Sequence, residues 1–151
     1  KTEEEEEHNF DAVYGAVERL SETKTGAIIA MERKTQLGSF SETGTIINAV
    51  LSSQLLESIF FKNSSLHDGA VIISGNRIVA AGAILPVTEK TIPMRFGLRH
   101  RAAIGAAEKS DAVVLVVSEE TGDISIAAGE IFQNKVKLSE LKAILQKYFA
   151  E

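Results

Sequence analysis

The stretch from Ala70 to Leu85 reads AVIISGNRIVAAGAIL, and its pattern predicts two strands joined by a tight turn. Ala70 to Ser74 and Arg77 to Leu85 are apolar runs of strand length. The pair Gly75-Asn76 between them suits a two-residue hairpin. Pro86 ends the second run, because proline cannot donate a ladder hydrogen bond. An antiparallel hairpin is therefore the clearest local feature of the predicted fold.

Three further apolar runs flank this hairpin. Gly26 to Met31 has strand length, and Ala112 to Val117 is continuous in the way of a strand buried on both faces. Asp123 to Ala128 is expected to pair with it across the turn 119–122.

Helical periodicity marks four segments between and around the strands. They are a helix after an Asn9 N-cap to about Ser21, a helix over Ile46 to Phe60, an Ala- and Gly-rich helix from Arg99 to Lys109, and a last helix capped by Ser139. Residues 39–45 and 87–96 are predicted loops. The interleaving predicts an α/β fold, a single domain with a mixed β-sheet flanked by helices on both sides.

Composition narrows the function classes. The chain has 151 residues, a net charge of −5 and no cysteine, which excludes a disulfide framework, a thiolate metal site and a thiol nucleophile. The net acidity argues against nucleic acid as a partner. Five consecutive carboxylates, 3–7, predict a solvated tail or linker over residues 1–8, followed by one domain over 9–151. Neither a membrane span nor a secretory signal is present in the sequence, and without an initiator Met we expect Lys1 to continue a longer chain.

The first chemically informative segment is His67-Asp68-Gly69-Ala70, at the entry to a predicted strand. An imidazole beside a carboxylate suits a divalent metal, and glycine lets a ligand approach the backbone. A plain turn before a strand is the alternative, since Asp and Gly also serve turn geometry.

The second segment is Arg99-His100-Arg101, at the start of the Ala-rich helix. Cations are unfavourable at a helix N-terminus, because that end already carries partial positive charge. They become favourable if an anion lies between them and the free backbone N–H groups, and phosphate is the usual anion there. The alternative is an exposed basic turn without a ligand.

The third segment, Ser118-Glu119-Glu120, follows the buried strand directly. Its carboxylates could hold Mg²⁺ or Mn²⁺ at the end of a central strand, or they could form a solvated hairpin tip. The sequence contains no Walker phosphate loop, no dinucleotide fingerprint and no zincin motif. These absences point away from the common nucleotidases and hydrolases and toward binding of phosphate and metal on a less usual scaffold, although a Ser nucleophile with a His base stays open.

Together these segments resemble the DGA and RHR motifs of the diadenylate cyclase (DAC) family, and most closely its membrane-anchored CdaA-type branch. The flanks are similar as well, and the resemblance runs from about Phe10 to Ala128. The similar flanking residues are His67, Gly97, Ala102-Ala103, the segment 118–122, the run 26–32 and the loop 42–44.

The resemblance implies the site residues and their roles. Asp68, Arg99, His100 and Arg101 would be catalytic, with Asp68 near the ribose 3′-hydroxyl and the RHR residues contacting the triphosphate or shaping its pocket. His67, Asp68 and Glu120 would bind a divalent metal, Mn²⁺ or Mg²⁺, with Co²⁺ as a further candidate. Substrate would be contacted by Gly69, Ala70, Leu85, Ser118, Glu119 and Glu120. Two positions depart from the family pattern, since Leu98 stands where Thr is frequent and Ile84 where Tyr is frequent. The resemblance therefore does not predict the affinity of this chain for ATP.

The activity that the resemblance implies is the condensation of two ATP into cyclic di-AMP and two pyrophosphates. A symmetric product made by two identical reactions predicts a homodimer with facing sites. The alternative is a non-catalytic sensor of ATP or cyclic di-AMP. We expect a cytoplasmic domain whose full-length protein is anchored to the membrane only through segments outside this chain.

Overall fold

The computed structural model describes residues 8–150. The predicted acidic tail lies outside the described residues, apart from His8. In chain order the elements are α1 Phe10–Glu22, β1 Ala27–Met31, α2 Gly38–Ser41, β2 Thr45–Val50, α3 Ser53–Phe60, β3 Ala70–Ser74, β4 Arg77–Ala83, α4 Leu98–Lys109, β5 Val113–Val117, β6 Ile124–Ala128, β7 Ile131–Gln133 and α5 Leu138–Ala150. No helix among residues 8–150 combines the length and apolar character needed to cross a bilayer.

The strands form one mixed sheet in the order β2-β4-β3-β1-β5-β6-β7. Only β1 and β3 run parallel, with Ile29 opposite Val71, and every other pair of neighbours is antiparallel. The predicted α/β class and mixed sheet are confirmed. The β3–β4 hairpin turns at Gly75-Asn76, and Gly75 has a φ of 57°, a conformation that glycine adopts without steric cost.

Each face of the sheet carries its own core, and helices cover both faces. Alternate residues of β1 explain this: Ile29 packs with α1, α3 and α5 on one face, whereas Ile28 and Ala30 pack with α4 on the other. Both faces are buried, which is why β1 and β5 are apolar without interruption. The small residues of α4 let it lie close to the sheet. A Cβ at Gly105 would lie 2.8 Å from the backbone nitrogen of Thr88, so the loop after β4 is pressed against α4.

The helix predicted from Ile46 to Phe60 is wrong in its first part, because Thr45–Val50 forms the edge strand β2. The β-branched Thr45, Ile46, Ile47 and Val50 favour a strand, and their apolar spacing also fitted a helix. The helix α3 begins only after Ser52, whose hydroxyl accepts from the Leu55 N–H at 3.1 Å.

Smaller differences occur elsewhere. Gly38–Ser41 inside a predicted loop region forms the short helix α2, and the strand β7 was missed because three residues carry too little periodicity. The strand β4 ends at Ala83 rather than Leu85. Ser139 is not the cap of the last helix, since α5 already begins at Leu138. At the N-terminus Asn9 caps α1 as predicted, accepting from the Ala12 N–H at 3.1 Å.

Candidate active site

A cavity of about 580 Å³ lies at one end of the sheet. The strands β1 and β3 begin there and β4 and β5 end there, since Ala27 pairs with Val117 and Ala70 with Ala83. The start of α4 and the loop after β4 close its sides. Segments far apart in the sequence therefore meet. The predicted residues that line the cavity are His67, Asp68, Gly69, Leu85, Arg99, His100, Ser118, Glu119 and Glu120.

Two predicted site residues do not line this cavity. Ala70 is fully buried in β3 and belongs to the core under α4. Arg101 lies one turn into α4, and its carbonyl accepts from the backbone N–H of Thr88 at 3.1 Å, which ties the loop after β4 to the helix. Through this contact Arg101 helps to shape the pocket and does not line it.

His67 and Asp68 form a pair at the mouth of the cavity. The Nδ1 atom of His67 is 2.8 Å from the carbonyl oxygen of Ser64, so Nδ1 carries a proton and Nε2 faces outward. That Nε2 lies 3.2 Å from Oδ1 of Asp68, whose side chain is 85% exposed. When the imidazole is neutral, Nε2 of His67 and Oδ1 of Asp68 are both acceptors and repel each other. A cation or a proton between these two atoms would be attracted to both.

Gly69 follows this pair with a φ of 87°. A Cβ there would lie 2.7 Å from the carbonyl oxygen of Ala83, so only glycine permits this close crossing of β3 and β4. The backbone at the floor of the cavity is thereby held tightly against the neighbouring strand.

Arg99 lies in the first turn of α4. Its Nη1 is 3.4 Å from Oε1 of Glu119, which joins the RHR and SEE segments across the cavity. The guanidinium lies over Gly26, where a Cβ would be 2.5 Å from Nη1 and 2.9 Å from Nε. Gly97, the N-cap of α4, provides no side-chain cap to the first backbone N–H groups of the helix.

His100 is buried between two aromatic rings. Its ring centroid is 5.1 Å from that of Phe96 and 6.3 Å from that of Phe132. Burial lowers the pKa of His100, the charge of Arg99 lowers it further, and Glu120 opposes them. His100 is therefore neutral near pH 7, so its Nδ1 can act as donor or acceptor. Among residues 8–150 that buried atom has no hydrogen-bond partner.

The turn after β5 is organised by Ser118. Its hydroxyl oxygen accepts from the backbone N–H groups of Glu120 and Thr121, each at 3.2 Å. The hydroxyl proton is then directed away from the turn and can be donated to a ligand. Glu119 and Glu120 are exposed at the same turn.

The donor set fits a divalent metal only in part. Within the described residues, no group of three or more His, Asp or Glu side chains is arranged to hold a metal. The His67–Asp68 pair supplies one imidazole and one carboxylate, and Glu120 lines the same cavity without completing a three-ligand group with them. Mg²⁺ in particular is held by one or two carboxylates together with substrate phosphates, so these residues suit a metal that arrives with its substrate.

Several lining residues were not among the site residues predicted from the sequence. They are Ile28, Ala83, Ile84, Val87, Arg95, Gly97, Leu98, Ala102 and Val117. Arg95 is the charged one, and its only sequence signal was a cation two residues before the glycine that precedes α4. Leu98 and Ile84, the two departures from the family pattern, both line the cavity and are 71% and 70% exposed.

Comparison with known proteins agrees with the fold. The DAC family model, described as DisA bacterial checkpoint controller nucleotide-binding, matches residues 14–132. The chain belongs to this family of nucleotide-binding domains. The resemblance inferred from the HDGA, RHR and SEE segments is thereby confirmed.

The chain is similar to named relatives of the family. It is 52% identical over 117 residues to diadenylate cyclase CdaS of Bacillus thuringiensis, covering 77% of this chain and 58% of the relative. It is 39% identical over 148 residues to cyclic di-AMP synthase CdaA of Bacillus subtilis, covering 97% of this chain and 54% of the relative. The crystal structure of a DacA double mutant from Staphylococcus aureus superimposes with a TM-score of 0.89 at 36% identity, covering 92% of this chain and 93% of that one. The chain spans little more than half the length of the two sequence relatives.

Proposed function

We propose that this chain is the catalytic domain of a diadenylate cyclase, which joins two ATP molecules into cyclic di-AMP and releases two pyrophosphates. The observation that carries the proposal is the single cavity that collects Asp68, Arg99 and Glu120 from three distant segments. A nucleotide-binding domain of this family needs to hold phosphate, ribose and base, and the cavity has polar groups at its mouth and apolar residues such as Leu85 and Ile28 along its wall.

The triphosphate is proposed to lie at the start of α4. The uncapped backbone N–H groups after Gly97 and the guanidinium of Arg99 favour an anion there. Ser118 can donate its hydroxyl proton to a phosphate oxygen, and His100, whose Nδ1 is buried, is proposed to shape the pocket. Adenine is proposed to lie against Leu85, and the ribose beside Gly69, since both residues line the cavity.

Asp68 is proposed to orient the attacking group. Its exposed carboxylate accepts a hydrogen bond from the ribose 3′-hydroxyl and receives the proton as the oxygen attacks the α-phosphorus of the second ATP. The new bond joins the 3′-oxygen to that α-phosphorus, and the bond from this phosphorus to the bridging oxygen of pyrophosphate breaks. A second, identical step closes the ring. Electrostatic stabilisation of the phosphate oxygens is the larger demand of such a transfer, and Arg99 supplies part of it.

A divalent cation, Mn²⁺, Mg²⁺ or Co²⁺, is proposed to be held by His67 and Asp68 together with phosphate oxygens of the substrate, since among the described residues Glu120 does not complete a three-ligand group with them. When bound, it neutralises charge that develops on the phosphate oxygens. The outward-facing Nε2 of His67 beside the Asp68 carboxylate is the observation that supports this assignment.

The reaction is proposed to need a homodimer. The proposed nucleotide site at the end of the sheet takes one ATP, so the second ATP is proposed to come from another copy. The exposed apolar side chains of Ile84, Val87 and Leu98, here called the apolar rim, surround the mouth of the cavity and suit burial against a second copy. Two rims in contact would bring two cavities face to face.

The test combines product formation with dilution. We expect incubation with ATP and Mn²⁺ or Mg²⁺ to give cyclic di-AMP on chromatography. The rate per protein molecule should rise with protein concentration, and EDTA should stop turnover. ATP binding without product under all metals and concentrations would refute the cyclase and favour the sensor. A constant specific activity far below the dimer dissociation constant, measured by sedimentation, would refute the dimer requirement.

For the whole protein we propose attachment to the cytoplasmic face of the membrane through segments outside this chain. The support is the 46% identity to a solved Bacillus cereus protein described as membrane spanning, over 87% of this chain and 65% of that one, together with the partial coverage of CdaA. Fractionation of cells expressing the full-length protein would test it, and recovery in the supernatant would contradict it.

A further inference from the structure

The loop between β4 and α4 forms one wall of the cavity and carries a cation that the mechanism above does not use. Arg95 lines the cavity together with Leu85 and Val87 of the same loop. It is exposed, so its guanidinium reaches solvent at the cavity wall.

Charges in the cavity make this arginine stand out. Three carboxylates, Asp68, Glu119 and Glu120, line it with only two guanidinium groups, Arg95 and Arg99. Arg99 already lies 3.4 Å from Glu119, whereas no carboxylate among residues 8–150 lies within ion-pair distance of Arg95. Carboxylates that outnumber guanidinium groups repel a polyanionic substrate, and Arg95 can bind such a substrate without first breaking an ion pair.

The position of Arg95 is set by the packing of its neighbour. Its Cζ lies 4.5 Å from the ring centroid of Phe96, in cation–π contact. Phe96 is itself buried, and its ring packs edge-on against Phe132 at 5.1 Å and beside His100. The backbone N–H of Phe96 donates to the Pro93 carbonyl at 3.1 Å, which closes a turn just before α4.

The middle of the loop, before Arg95, is anchored as well. Lys90 Nζ lies 3.2 Å from Glu108 of α4 and 3.0 Å from Glu130 in the turn between β6 and β7. The Thr88 hydroxyl donates to Glu108 at 3.1 Å. Arg95 therefore lies in a loop that is anchored at Thr88 and Lys90 before it and at Phe96 after it, which limits the ordering that ligand binding requires.

We propose that Arg95 binds the β- and γ-phosphates of ATP and stays bound to them when they become the pyrophosphate product. This proposal rests on the proposed function of the cavity. The terminal phosphates carry most of the charge of ATP, and a guanidinium fork matches two of their oxygens. Arg99, at the helix N-terminus beside the SEE turn, is left for the α-phosphate. Arg95 thus distinguishes triphosphate from monophosphate rather than adenine from another base.

The experiment compares ligands with and without terminal phosphates on the whole chain. Calorimetry would measure the dissociation constants of ATP, pyrophosphate and AMP for wild type, Arg95→Gln and Arg95→Lys. We expect Arg95→Gln to weaken ATP and pyrophosphate about tenfold, as for loss of one charge-assisted contact, and AMP less than twofold. Arg95→Lys should recover part of the loss, because it restores the charge without the fork.

Arg77→Gln is the matched control, since Arg77 is exposed on β4, bonds to Asn48 and lies outside the cavity. It makes the same change in net charge and should leave all three constants unchanged. Equal weakening of ATP and AMP by Arg95→Gln, or unchanged pyrophosphate binding, would overturn the proposal. These readouts need no turnover. A wild-type protein that binds ATP and pyrophosphate but makes no cyclic product would refute the cyclase. The binding constants of the Arg95 variants would still decide the role of Arg95 in that case.

Discussion

Substitution of Gly26 by alanine is expected to displace the guanidinium of Arg99 without lowering the stability of the fold. The new methyl carbon would lie 2.5 Å from Nη1 and 2.9 Å from Nε of Arg99. Comfortable contacts begin near 3.5 Å, so the guanidinium must move by about 1 Å. The obstacle is the far end of a flexible side chain, and the backbone at Gly26 has no positive φ, so the fold itself accepts the methyl group.

The expected result is therefore a loss of activity without a loss of stability. A 1 Å misplacement of a group that contacts the reacting phosphates can cost on the order of 100-fold in rate. We expect kcat/KM for cyclic di-AMP formation to fall about 10- to 100-fold, with Tm within ~3 °C of wild type, equivalent to about 1 kcal/mol for a domain of this size. Chromatographic initial rates over a range of ATP concentrations and a thermal melt would measure both.

Two comparisons make this prediction refutable. Gly38→Ala is the matched control, because a Cβ there meets nothing within 4 Å, and it should leave activity unchanged. In an Arg99→Ala background, Gly26→Ala should produce no further change in ATP affinity, because the clash has been removed. Wild-type activity in Gly26→Ala, or an undiminished effect on ATP affinity in the Arg99→Ala background, would show that Gly26 does not act through Arg99.

Two further predictions follow from the site. Asp68→Asn should leave Tm within ~3 °C of wild type, because the carboxylate is 85% exposed, and should lower turnover at least about 100-fold by removing the proton acceptor; turnover near wild type would contradict the role of Asp68. Because burial and Arg99 hold the pKa of His100 below 6.5, the folded state binds a proton there less readily than the unfolded chain. Its contribution to stability is complete above pH 6.5 and is lost as pH falls through the folded pKa. Urea unfolding at pH 7.5 and 5.5 should show a smaller pH-dependent loss in His100→Gln than in wild type, and parallel losses in both would refute this assignment.

The sequence was sufficient for elements with one unambiguous pattern. The β3–β4 hairpin, the doubly buried β5 and the Asn9 cap of α1 follow from local composition, because turn chemistry, burial and capping act over a few residues. It failed at Thr45–Val50, where apolar residues fit both a helix face and a half-exposed strand. Pairing with β4, a contact with a distant segment, selected the strand.

The residues of the candidate site likewise fall into those that the sequence predicted and those that only the folded structure revealed. Motifs and their resemblance to a family identified nine of the cavity-lining residues, since chemistry restricts the residue types that can hold phosphate and metal. Arg95 lies in no such motif, and Gly26 belongs only to the similar run 26–32 without a predicted role. Their relevance arises from contacts that the fold creates, between Gly26 and the guanidinium of Arg99 and between Arg95 and the ring of Phe96.

By itself, the sequence determined the fold class and the segments that carry the chemistry, because periodicity and residue type are local properties of the chain. Only the tertiary structure decided that His100 is buried and neutral, that Ala70 and Arg101 do not line the cavity, and that Arg95 does. Burial, charge pairing and distance depend on which remote segments pack together. The physical reason is that these quantities are set by the folded neighbourhood of a residue and not by its position along the chain.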